Sequence, residues 1–153
     1  MTNLPITLSL PSEAATAALA ARIATILTPG DTLLLSGSIG AGKSAFARAL
    51  IRARLGRMED VPSPTFTLVQ TYDDPHGDIW HCDLYRLTHP DEVFELGLDE
   101  AFSTAICLIE WPDRLGADMP DSALQMTFAA GDTAHSLEIT APPAWENRLK
   151  ALL

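Results

Sequence analysis

The sequence predicts an α/β sandwich around a mixed parallel and antiparallel sheet, with a single domain over residues 1–153. Three observations lead there. Continuous apolar runs at 32–35 and 105–109 have the composition of strands covered on both faces. Alternating stretches at 6–10, around 123–129 and at 135–140 show the period of half-buried strands. Segments with helical spacing lie between them, so helices and strands intermix along the chain as in layered α/β folds.

Taken in order, residues 6–10 form the first strand, and Pro11-Ser12 opens a helix with Ser12 as N-cap and Glu13 in the first turn. Leu19, Ile23, Ile26 and Leu27 lie on one stripe, and Pro29-Gly30 ends the element. The apolar strand at 32–35 leads through a glycine-rich turn into a helix from about Lys43 to Leu55. Phe46 and Leu50 form one of its buried rows, Ala47, Ile51 and Leu55 the other, and Gly56 is the residue that stops it. Residues 66–72 and 79–84 read as strands joined by a turn-rich loop at 73–78. Helical or irregular structure fills 89–102, and the strand at 105–109 ends on Glu110. The stretches at 123–129 and 135–140 form a closing hairpin, followed by a short terminal helix at 143–153. The hairpins argue against an all-parallel sheet.

Composition narrows the function classes. The 153 residues include 20 acidic and 10 basic side chains, for a net charge of −10, which disfavours a protein whose main task is gripping nucleic-acid phosphates or an anionic membrane. The charge is uneven: residues 1–57 carry six basic and two acidic groups (+4), and the remaining four and eighteen give −14. Cys82 and Cys107 sit in apolar runs with no disulfide spacing, so a reduced, cytoplasmic setting is expected. No apolar run approaches the roughly 18 residues of a membrane span, and the N-terminus lacks the pattern of a secretory signal.

Gly37-Ser38-Ile39-Gly40-Ala41-Gly42-Lys43-Ser44 satisfies G-x-x-x-x-G-K-[ST] between a buried strand and a helix, which makes the predicted fold P-loop NTPase-like. The glycines let backbone N–H groups converge on phosphate oxygens without Cβ clashes. The expected contacts run from Ser38 through Ala45, at the positive end of the helix dipole. Lys43 is placed to bridge the β- and γ-phosphates, and the Ser44 hydroxyl to ligate Mg²⁺. The only asparagines, Asn3 and Asn147, form no guanine-recognition motif, so ATP is the expected nucleotide.

Such a site needs a carboxylate at the end of a neighbouring strand. Glu110 and Asp83 both fit: one for the metal, the other to orient or activate water. The alternative is a surface carboxylate capping each strand. Ser63-Pro64-Thr65-Phe66 is either a segment that senses the γ-phosphate or an ordinary turn. The histidines and cysteines show no zinc spacing, which leaves His81 and Cys82 as core or edge-strand residues. Arg48 and Arg52, with Arg54 and Arg57 behind them, make either a solvated helix face or a docking stripe for an acidic partner or tRNA.

With these pieces in order the chain resembles the bacterial TsaE family of tRNA threonylcarbamoyladenosine biosynthesis. The resemblance rests on the glycine loop, Ser63-Pro64-Thr65-Phe66-Thr67-Leu68-Val69, His81-Cys82-Asp83-Leu84-Tyr85-Arg86-Leu87, Glu95-Leu96-Gly97-Leu98-Asp99-Glu100 and Ile109-Glu110-Trp111-Pro112-Asp113-Arg114-Leu115. It implies ATP binding with slow hydrolysis inside a complex with the TsaB and TsaD families. Those partners transfer a threonylcarbamoyl group to the adenosine next to the anticodon, and contact of this chain with tRNA would be mainly indirect. It further implies phosphate contact by Lys43, Mg²⁺ held by Ser44 and Glu110, and a catalytic carboxylate at Asp83. Thr65 falls in the γ-phosphate-responsive segment, and Trp111, Glu13 and His135 lie near the nucleotide. The chain departs from the pattern at Ser38, where relatives carry an acid, at Ser44, where they carry threonine, and around 131–135, where only His135 replaces arginine.

Two other functions fit the same loop. One is a nucleotide-gated binding module in which hydrolysis is incidental. The other is a small-molecule P-loop kinase, against which stand the few basic residues after position 57.

Overall fold

A strand β1 (Ile6–Leu10) is followed by helix α1 (Glu13–Ala24), capped by Ser12, whose side-chain oxygen accepts the Ala15 N–H at 3.1 Å. The computed structural model describes residues 4–89 and 91–152. Strand β2 (Thr32–Ser36) enters the glycine loop, and helix α2 (Lys43–Leu55) leaves it. Then come β3 (Val69–Tyr72), β4 (Ile79–Asp83), α3 (Glu92–Leu96), α4 (Leu98–Thr104) and β5 (Ile106–Glu110). A kinked 3₁₀ segment Pro112–Asp118, the strands β6 (Leu124–Ala129) and β7 (His135–Thr140), and α5 (Glu146–Lys150) complete the order.

The strands form one mixed sheet in the order β1-β7-β6-β2-β5-β4-β3. β2 runs parallel to β5 and β6, and β4 parallel to β5, while β1–β7, β6–β7 and β3–β4 are antiparallel. The α/β sandwich with a mixed sheet is thus the observed fold. Alternation along the central strands feeds two cores. Leu33, Leu35, Ile106 and Leu108 pack with the residues of α1 and α2, whereas Leu34, Cys107 and Ile109 pack with those of α3 and α4. Gly56, at φ 68, stops α2 by donating its N–H to the Arg52 carbonyl at 2.9 Å, as its position predicts.

Several boundaries move. The expected strand 66–72 begins only at Val69, because the Leu68 N–H bonds back to the Pro64 carbonyl at 2.7 Å and curls 65–68 into a turn with Leu68 at φ 67. Helix α1 ends at Ala24, before Pro29-Gly30, as the Thr25 hydroxyl takes the Arg22 carbonyl at 2.6 Å. The segment 89–102 holds two helices broken at Gly97 (φ 82), the second reaching Thr104. The terminal helix is a 3₁₀ turn, Pro143–Trp145, running into α5. Positions 90 and 153 of these last two expectations lie outside the described residues.

Cys82 and Cys107 are free and fully buried. Burial pushes both thiols up, Cys82 also through the neighbouring Cys107, and Cys107 to about 12 although its bond to Thr32 opposes the shift. Since the thiolate is the nucleophile, alkylation in native buffer is expected to be far slower than in denaturant, as mass spectrometry of the labelled protein would measure. Folded values above unfolded ones mean that the thiols support folding below the ordinary thiol range. That support declines as pH rises from about 8.5, and the denaturation midpoint should fall with it.

Candidate functional site

The glycine loop is shaped by its neighbours. Gly37, Gly40 and Gly42 take φ values of 138, 82 and 110, and a Cβ on Gly37 would stand 2.3 Å from the Phe128 carbonyl oxygen. The Ser38 carbonyl accepts the Ala41 N–H at 3.2 Å, and the Gly42 carbonyl accepts that of Phe46 at 3.0 Å. No side chain caps α2, so its first-turn N–H groups stay available for an anion.

Register puts the acids opposite that loop. Leu35 of β2 pairs with Glu110, and Glu110 with Asp83 of β4, so three parallel strands end side by side. Glu110 is 2% exposed and Asp83 6%, which rules out surface carboxylates that merely cap strands. Ser44 donates its hydroxyl to Glu110 Oε1 at 2.9 Å, and His81 Nε2 stands 2.7 Å from Glu110 Oε2. Asp83 accepts the Tyr85 N–H on Oδ1 at 3.0 Å and the Thr65 hydroxyl on Oδ2 at 3.3 Å, with Ser63 Oγ 2.8 Å from Thr65 Oγ1.

Lys43, 5% exposed, donates to the Gly37 carbonyl and lies 3.7 Å over the Trp111 ring. Burial lowers its ammonium pKa, while Glu110, Asp83 and Asp113 act in the opposite direction. Trp111 adopts φ 58, an uncommon conformation for an aromatic residue, and the proline that follows it disfavours the right-handed alternative.

One cavity of about 480 Å³ collects most of the expected residues: Ile39, Gly40, Gly42, Lys43, Ser44 and Ala45 from the loop and helix, with Thr65, Asp83, Glu110, Trp111, Glu13 and His135. Ser38 and Ala41 do not line it; Ser38 is exposed and Ala41 is fully buried. The structure adds Ser63, Tyr85 and Arg86 to the lining. His81 is buried on an interior strand, which settles its reading as a core rather than an edge-strand residue, and it is bonded to Glu110 besides. The signal was its place two residues before Asp83, which gives both the same face. Of the four arginines, Arg57 is exposed, as a solvated helix face expects, whereas Arg48, Arg52 and Arg54 are half-buried. Arg48 and Arg52 donate to the carbonyls of Val61 and Glu59 at 3.4 and 3.0 Å, and Arg54 pairs with the buried Asp74 at 3.0 Å.

A family model, "Threonylcarbamoyl adenosine biosynthesis protein TsaE", matches residues 10–137. The chain belongs to the TsaE family. Similar relatives include two proteins named "tRNA threonylcarbamoyladenosine biosynthesis protein TsaE". The one from Rickettsia bellii is 43% identical over 119 residues, 78% of this chain and 83% of that protein. The one from Bacillus subtilis is 38% identical over 128 residues, 82% and 79% of the two chains. Among solved structures, a crystal structure of Bacillus subtilis YdiB superposes with a TM-score of 0.80 at 30% identity, covering 99% of this chain and 94% of that one.

Family membership with this loop supports nucleotide binding. Within this TsaE-family chain the loop glycines should differ in tolerance. Gly40→Ala meets nothing within 4 Å and carries only the backbone cost of its positive φ, about 1–2 kcal/mol. Gly37→Ala adds a clash with a backbone carbonyl, so denaturant unfolding should show the larger loss of stability for Gly37→Ala.

Proposed function

We propose that this TsaE-family chain binds ATP with Mg²⁺ and hydrolyses it slowly, serving a tRNA threonylcarbamoyladenosine complex with partners of the TsaB and TsaD families. One observation carries the reading: Lys43 and Ser44 of an uncapped helix N-terminus share a cavity with two buried carboxylates at the ends of adjacent parallel strands. The backbone N–H groups of 38–45 would bind the phosphates, with Lys43 leaving the Gly37 carbonyl and the Trp111 face to meet the triphosphate. Glu13 and His135, at the side of the cavity formed by α1 and β7, are assigned to the rest of the nucleotide.

The donor set fits Mg²⁺. Ser44 Oγ and Glu110 offer oxygens 2.9 Å apart, and the described residues contain no group of three or more His, Cys, Asp or Glu that could form an all-protein cage. Mg²⁺ is commonly held in this way, by one or two protein groups together with phosphates and water. The ion would neutralise charge developing on the transferred phosphoryl group. Ser44 can keep its proton on Glu110 while presenting a lone pair to the metal. Asp83, with one hydrogen bond on each oxygen, retains lone pairs to orient a water and accept its proton. Thr65 would report that chemistry to the 63–66 segment.

A second reading, in which the nucleotide state gates partner affinity, is favoured by exposed apolar side chains on the segments that line the cavity. Ile39, in the lining, and Phe66, which follows Thr65 and lies under the Arg86 guanidinium, are each 80% exposed, and a docked protein would cover them. Among the described residues, Arg86 is the one Lys or Arg besides Lys43 that lines the cavity, which weighs against a small-molecule kinase.

Lys43→Ala is expected to abolish ATP binding in a calorimetric titration. Glu110→Ala and Asp83→Ala should still bind, with turnover at least about a hundredfold lower in the presence of partner proteins and tRNA. Normal hydrolysis by all three variants would remove the assigned site. Should Asp83→Ala still support repeated rounds of tRNA modification, the gating reading replaces that of a hydrolysis-driven accessory.

A further inference from the structure

The sheet face turned toward α2 is built largely from apolar residues of β2, β4, β5 and β6. His81, Asp83 and Glu110 share that face, and His81 stands between Leu108 of β5 and Gln70 of β3 in the register, one step below the carboxylate pair. His81 is 1% exposed and Glu110 2%. The ring meets the carboxylate at Nε2, 2.7 Å from Oε2, while its Nδ1 is buried and finds no hydrogen-bond partner among the described residues. A buried polar atom without a partner destabilises a fold, and a leucine such as Leu108 would not incur that cost. What the histidine contributes is therefore the Nε2–H.

We propose that His81 is a positioning residue for Glu110: its Nε2–H fixes one carboxylate oxygen so that the other, through Ser44, presents a metal-binding pair of fixed geometry. The proposal rests on the assignment of Ser44 and Glu110 to Mg²⁺. Glu110 sits at the end of β5, where its carboxylate could turn about its last torsion. Ser44 holds Oε1 from α2 and His81 holds Oε2 from β4, so the group is clamped from two different elements. Each oxygen keeps a lone pair, so neither bond has to break when a cation arrives. Mg²⁺ tolerates little departure from octahedral geometry, so a carboxylate that turns would lose metal affinity before it lost nucleotide affinity. Loss of a donor of this kind behind a metal ligand typically costs about 10–100-fold in metal affinity.

Two amide substitutions separate donor position from polarity. The side-chain nitrogen of glutamine superposes on Nε2 of histidine, and that of asparagine on Nδ1. The measurement is calorimetric affinity for a non-hydrolysable ATP analogue, in excess Mg²⁺ and in EDTA, on the nucleotide-free protein, with melting temperatures recorded alongside. His81→Asn is expected to lower the Mg²⁺-dependent gain in affinity about tenfold with the EDTA affinity unchanged, and His81→Gln to stay within about threefold of the parent. If His81→Asn does not fold, His81→Leu, which packs but cannot donate, takes its place. A full metal-dependent gain in the variant without the donor, or equal losses in His81→Asn and His81→Gln, would overturn the proposal. The underlying metal assignment fails separately, if the parent shows no Mg²⁺-dependent gain or Glu110→Ala retains all of it.

Discussion

Leu35, Glu110 and Asp83 stand side by side across β2, β5 and β4, and that row decides where every charged group of the site can lie. A slip of one residue in either pairing would turn a carboxylate to the opposite face, toward α3 and α4 and away from Ser44. The register is protected by apolar residues on both sides. Ile106 and Leu108 belong to one core, Cys107 and Ile109 to the other, so a slipped β5 would exchange side chains between two packed layers. The row of carboxylates is thus kept in register by apolar packing on both faces of β5.

Burying two carboxylates beside one ammonium is costly unless each oxygen has a donor. Here each does. Glu110 is held from α2 and β4, and Asp83 from the backbone after β4 and from Thr65. The bonds that stabilise the buried charge also connect the glycine-loop helix, two strands and the 63–65 segment. Lys43 remains the least settled charge, since burial lowers its pKa and its contacts are a carbonyl and an aromatic face rather than a carboxylate. An ammonium held in this way can transfer to a phosphate without breaking an ion pair.

The glycine loop, its flanking strand and helix, and the carboxylates of 83 and 110 were legible in the sequence because each is a local pattern with a local cause. Spacing put Gly37 and Gly42 where only glycine fits, and apolar runs ended on the two acids. What escaped is non-local. The turn at 65–68 begins with a β-like composition and is decided by one backbone bond, from Leu68 N–H to the Pro64 carbonyl. Alternation puts His81 on the face of Asp83, but its bond to Glu110 joins residues 29 apart in the chain, and no local pattern reports that pairing.

The uneven charge of the chain takes a different meaning in three dimensions. Arg48 and Arg52 project from the helix that starts at the glycine loop, yet they bind the carbonyls of Val61 and Glu59. Arg54 turns inward to Asp74, from the acidic part of the sequence, and to the carbonyls of Ala24 and Leu27. Arg48 and Arg52 thus hold, through Nε, the chain that leads to Ser63 and Thr65, while Arg54 ties α2 to the end of α1 and to Asp74. The same bonds tie the helix that would feel the phosphates to the segment that touches Asp83. Part of the positive charge of α2 is thus spent on internal linkage, so the net charge of −10 understates how little basic surface this helix offers.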